Sequence, residues 1–142
     1  MTTMIVASVA TGALATIARW LLTRRSVILR EVGPETTPAA PARTAELGLS
    51  GAGPTVVHFR APGCAPCDRV RRGVGDVCAD LGDVAHIEVD LDSNPQAARR
   101  FSVLSLPTTL IFDVDGRQRY RTSGVPKAAD LRSALKLSLI HI

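Results

Sequence analysis

Pro62-Gly63-Cys64-Ala65-Pro66-Cys67 is the stretch on which the reading of this chain turns. It follows an apolar run of strand length, Thr55-Val56-Val57-His58-Phe59. It precedes a segment with helical spacing of apolar residues: Cys67, Val70, Val74, Val77 or Cys78, and Leu81. Two thiols three positions apart at the opening of a helix form a pair suited to switching between dithiol and disulfide. The helix N-terminus favours a thiolate on the first sulfur, and the second lies one turn on, close enough to attack it.

Working outward, the helix runs from Cys64 to about Leu81, with Gly73 and Gly75 weakening it midway and predicting a bend. A second strand is expected over Val84–Asp90. Asn94-Pro95 supplies a helix cap followed by proline at the first helical position, opening a short helix through Arg100. Leu106-Pro107 leads into a third strand, Thr108–Phe112. Asp115-Gly116 then turns the chain back into Arg117–Thr122, a hairpin signal. Pro126 opens a last helix, with Leu131 and Leu135 one turn apart. The order is β-α-β-α-β-β-α.

Cys-x-x-Cys at the first strand-to-helix junction, Pro107 before the third strand, and the elements between them resemble the thioredoxin family. The resemblance covers Pro54 to Lys136 and implies an α/β thioredoxin fold, a mixed central sheet flanked by helices. It implies a thiol–disulfide oxidoreductase in which Cys64 attacks a substrate disulfide and Cys67 resolves the mixed disulfide. Cys64 is then exposed and Cys67 mostly buried. The resemblance also implies a cis Pro107 against the cysteine pair, leaving the backbone of Leu106 to pair with an extended substrate segment. Gly63, Ala65 and Pro66 border the same surface. Ala65-Pro66 differs by one methyl group from the commonest thioredoxin pair, Gly-Pro, and no histidine separates the cysteines. A reducing couple of about −270 mV is therefore expected.

The chain departs from the family at three positions. Gly63 stands where thioredoxins place a tryptophan, which opens the site. His58 stands where they bury an aspartate, and Glu88 where a lysine often neighbours it. The expectation is a His58–Glu88 pair behind Cys67, with His58 accepting the proton during resolution. His86 shares a strand face with Glu88 by the two-residue period. Cys78 falls on the inward helical stripe as a packing residue. Arg69, Arg71 and Arg72 form a solvated face whose charge favours a thiolate nearby.

The N-terminal part reads differently. Residues 2–18 carry no charge, and Thr2–Leu22 is long enough to span a bilayer if Arg19 reaches the interface beside Trp20. Positive charge follows the apolar run, at Arg24, Arg25 and Arg30, rather than preceding it. That pattern favours an uncleaved anchor over a signal peptide and places the following domain on the cytoplasmic side, the extracytoplasmic side being the alternative. The organisation is a transmembrane anchor and basic flank (1–31), a proline-rich spacer (32–53), the thioredoxin domain (54–136) and a tail (137–142). A turn of helix is expected near Thr44–Leu47. The layout resembles the membrane-anchored thioredoxin-like proteins of actinobacteria. The closing Leu137-Ser138-Leu139-Ile140-His141-Ile142 reads as the translation of a sequencing-adapter end rather than as part of the domain.

Totals narrow the remaining classes. The chain has 142 residues, a net charge of +4 and one Trp, one Tyr and three Phe, too few aromatics interleaved with basic residues for a nucleic-acid surface. Three cysteines are too few for a disulfide-stapled scaffold. A lone Cys-x-x-Cys lacks the four ligands of structural zinc, so no metal and no cofactor are expected. The expected partners are disulfide-containing proteins, an electron donor such as a thioredoxin reductase, and the membrane through residues 2–22, with the chain a monomer. The alternative function is a redox-inactive thioredoxin-fold module that docks an extended partner at Pro107.

Overall fold

A computed structural model describes residues 29–31, 45–49 and 51–140. The elements are β1 (Arg30–Glu31), β2 (Thr55–Arg60), α1 (Ala65–Leu81), β3 (Ala85–Asp90), α2 (Pro95–Arg100), β4 (Thr108–Phe112), β5 (Gln118–Ser123) and α3 (Ala128–Ile140). The strands form one sheet in the order β1-β5-β4-β2-β3. β2 and β3 are parallel, joined through α1, and the remaining pairs are antiparallel.

Alternation along β2 divides the core. Val56 faces Val70, Val74, Val77 and Cys78 of α1 and Leu131 and Leu135 of α3. Val57 and Phe59 face the other way, against Leu47, Ala97 of α2, Phe101, Leu110 and Phe112. A central strand buried on both sides has no polar alternation, which is why Thr55–Phe59 reads as a continuous apolar run. The helix α1 is unbroken through Gly73 and Gly75. Each glycine costs about 1 kcal/mol relative to alanine. Burying three valines and Cys67 on one stripe outweighs that, at roughly 1.5–3 kcal/mol per large apolar side chain.

The β4–β5 hairpin is held by Asp113, buried at 4% exposure. Its carboxylate accepts the N–H groups of Asp115 and Arg117 at 3.0 and 2.9 Å, and Arg119 lies 3.8 Å away. Gly116 supplies the positive φ of +74° that the turn requires. Two details differ from the sequence reading. Arg30–Glu31, read as part of the basic flank, pairs with β5 as an edge strand. α3 continues through Leu137 to Ile140, with Ser138 buried, so the helix extends into the segment read as a tail. Of the turn expected at Thr44–Leu47, Thr44 lies outside the described residues; from Ala45 on the chain turns, with Gly48 N–H donating to Ala45 C=O at 3.1 Å.

Among the described residues no helix is long and apolar enough to cross a membrane. The apolar run 2–22 and most of the spacer lie outside them.

Candidate functional site

β2 ends at Arg60, and residues 61–64 carry the chain directly into α1. Gly63 makes this turn with φ +74°, a conformation that a side chain resists. Cys64 is the N-cap of α1, in extended backbone, with Pro66 in the first turn. The Cys64 carbonyl accepts from Cys67 N–H at 3.1 Å and Asp68 N–H at 3.3 Å. The Cys64 Sγ also accepts from Cys67 N–H, at 3.3 Å. The sulfur therefore sits at the positive end of a 17-residue helix, equivalent to roughly half an elementary charge.

Cys64 and Cys67 are joined by a disulfide, with Cα atoms 5.2 Å apart. Cys64 is half-buried and Cys67 is 1% exposed. Gly63 and Ala65 are exposed beside them, and Pro66 is half-buried. Attack from outside is thus directed to Cys64, although that sulfur is less open than the resemblance implies.

β4 is antiparallel to β2, with Thr108 opposite Phe59, so the start of β4 lies at the sheet end from which the cysteine loop departs. Pro107 is buried there, its peptide bond to Leu106 is cis, and its carbonyl accepts Gly124 N–H at 2.8 Å. Leu106 is half-buried and packs on the second core cluster. Leu104, two residues before it, is 95% exposed, an apolar side chain that the strand and helix patterns do not account for.

His58 shares the α1 face of β2 with Val56 and is completely buried. Its Nδ1 lies 2.8 Å from Nε2 of His86, and its own Nε2 has no hydrogen-bond partner. This corrects the expected His58–Glu88 bond. His58 and Glu88 are lateral neighbours in the β2–β3 register, but the Glu88 carboxylate stays at the exposed side, 3.9 Å from Arg71 of α1. An ionised carboxylate keeps water and a cation more cheaply than it follows an imidazole into the interior. The diagonal neighbour His86, half-buried, makes the contact instead.

Burial pushes His58 down from 6.5 to about 4, with His86, Arg60 and Arg71 adding to it by charge. Burial also lowers His86, opposed by the Glu88 carboxylate and assisted by Arg71. Burial raises the Cys78 thiol to about 11, which leaves it a packing residue. Arg69, Arg71 and Arg72 are exposed, as expected.

The sequence model described as Thioredoxin matches residues 46–137. A thioredoxin of Mycolicibacterium smegmatis is 42% identical over 88 residues, 59% of this chain and 78% of that protein. A thioredoxin of Chlamydia trachomatis is 34% identical over 89 residues, 63% of this chain and 83% of that protein. Among solved structures, Fasciola hepatica thioredoxin superposes with a TM-score of 0.55 at 30% identity, over 61% of this chain and 82% of that one. Thioredoxin-2 of the malaria parasite gives 0.56 at 28% identity, over 59% and 82%.

Proposed function

The chain belongs to the thioredoxin family, a thiol–disulfide oxidoreductase by its Cys64–Cys67 pair, and from that premise we propose that it is tethered to a membrane and reduces protein disulfides. The observation that carries this reading is the disulfide across the first turn of α1, with its more accessible sulfur at the helix cap.

In the reduced chain the Cys64 thiolate attacks one sulfur of a substrate disulfide. The substrate S–S bond breaks, one substrate thiolate leaves, and a mixed disulfide forms. Cys67 then loses its proton and attacks Cys64 Sγ, releasing the second substrate thiol. Two electrons pass from the dithiol to the substrate, and a donor such as a thioredoxin reductase restores the pair. Leu106 and Pro107, with Gly63, Ala65, Pro66 and the exposed Leu104 around them, form the surface against which an extended substrate segment lies.

His58 serves the resolving step as a relay rather than a proton store. An imidazole held near 4 does not keep a proton at neutral pH. With its Nε2 unpartnered and Nδ1 on His86, it takes the Cys67 proton at one nitrogen and passes another to His86. The Glu88 carboxylate favours the charged form of His86 and leads the proton toward solvent. Glu88 thus acts at the second remove rather than on His58 itself.

The anchor is residues 2–22, and the arginines after it hold the domain on the cytoplasmic side. Protease access on intact cells tests the orientation, and digestion of the domain from outside reverses it. For the chemistry, the chain is added to insulin and dithiothreitol. Faster precipitation than dithiothreitol alone, lost in Cys64→Ser, is the expected result. No acceleration refutes the reductase reading and leaves a module that docks partners at Pro107. Cys67→Ser stalls mixed disulfides and identifies the clients.

A further inference from the structure

His58, His86 and Glu88 bring one ligand atom each to within 4.8 Å of one another. They come from two strands: His86 and Glu88 stand two residues apart on β3, and His58 lies across from them on β2. We propose that this cluster is a site for a divalent transition-metal ion of the zinc class, bound by two imidazole nitrogens and one carboxylate oxygen.

The donor set is one that zinc takes readily, two histidines and a glutamate with a fourth position left for water. His58 Nδ1 and His86 Nε2 already face each other at 2.8 Å. Zinc–nitrogen bonds of about 2.0–2.1 Å at a tetrahedral centre need these nitrogens roughly 3.3 Å apart, so a half-ångström opening admits the ion. Two neutral imidazoles in contact share a single proton between the facing nitrogens, and an ion replaces that proton. The proton displaced from between them moves to His58 Nε2, so that both rings stay neutral while their facing nitrogens bind the ion.

The site has a route to solvent. β3 is an edge strand of the described sheet, His86 is half-buried, and Glu88 is exposed. Two charges oppose binding: Arg60, which acts on His58 by charge and is itself paired with Asp90, and, at the carboxylate ligand, Arg71. Arg71, 3.9 Å from the Glu88 carboxylate, both competes for that ligand and repels a cation. Its side chain is 58% exposed and free to swing away, which makes it a brake on affinity rather than a block.

The test is zinc titration by calorimetry on the full chain, stripped with chelator and kept oxidised so that Cys64 and Cys67 cannot ligate. A Cys78→Ser background removes the last thiol. One saturable zinc per chain is expected. Affinity falls at least tenfold in His86→Ala and in Glu88→Gln, and rises at least threefold in Arg71→Gln. Cobalt in place of zinc gives the visible bands of a tetrahedral ion. Glu88 is exposed, so Glu88→Gln tests the site even if a histidine variant fails to fold; circular dichroism checks each. Absence of saturable binding overturns the proposal, as does zinc binding unchanged in His86→Ala or in Glu88→Gln. Weaker binding in Arg71→Gln also contradicts it.

Discussion

Lowering the pH from 7.5 to 4.5 destabilises the folded chain through His58. The unfolded imidazole takes its proton near 6.5, whereas the buried one resists until about 4. Between those values the unfolded state binds a proton that the folded state does not, so stability falls as pH falls. At ~1.4 kcal/mol per pH unit, the full effect is about 3.4 kcal/mol, and about 2.5 kcal/mol of it is lost by pH 4.5. Nothing is gained above pH 7.5, because both states are then neutral. His86 acts in the same direction, so the His58 share is isolated by difference. Urea unfolding of the oxidised chain in chelator, at half-unit steps of pH, is compared with His58→Leu and His58→Gln. The variants start less stable, but their curves fall less steeply between pH 6.5 and 4, by the His58 share. Curves that stay parallel to the wild type refute the argument, as does an NMR titration in which the His58 ring charges near 6.5.

Cys78 stays unmodified by a thiol reagent at pH 7 in the native chain and is modified in the denatured one, as peptide mapping by mass reads directly; labelling of Cys78 in the native chain contradicts its burial. Leu110→Ala empties the centre of the sheet, where Leu110 is fully buried, and lowers stability by about 2–5 kcal/mol in urea unfolding. Gly63→Ala meets no atom within 4 Å yet forces a side chain onto φ +74°. It costs about 1 kcal/mol by the same assay, and an unchanged midpoint shows that the loop relaxes.

Much of this was legible because it is local. The apolar runs at Thr55–Phe59 and Thr108–Phe112, the cap at Asn94-Pro95 and the stripe on α1 each carry their signal within a few residues. Arg30–Glu31 does not. Two polar residues form a strand only because β5 offers them an edge, a long-range pairing without local trace. Gly73 and Gly75 do not interrupt α1, because its buried stripe of Cys67, Val70, Val74 and Val77 runs past both of them. The partner of His58 is set by non-local geometry for a related reason. Strand alternation puts His86 and Glu88 on one face, but which of them reaches His58 depends on the parallel register and on where Arg71 of α1 falls. The exposure of Leu104 belongs to the loop conformation and has no sequence pattern.

The most direct measurement equilibrates the chain in dithiothreitol buffers of graded poise, quenches with an alkylating reagent and maps the peptides by mass. A single reversible two-electron transition is predicted, linking Cys64 to Cys67 and leaving Cys78 a free thiol throughout. Cys64 and Cys67 alkylated separately at every poise, or a bond from either to Cys78, contradicts the account.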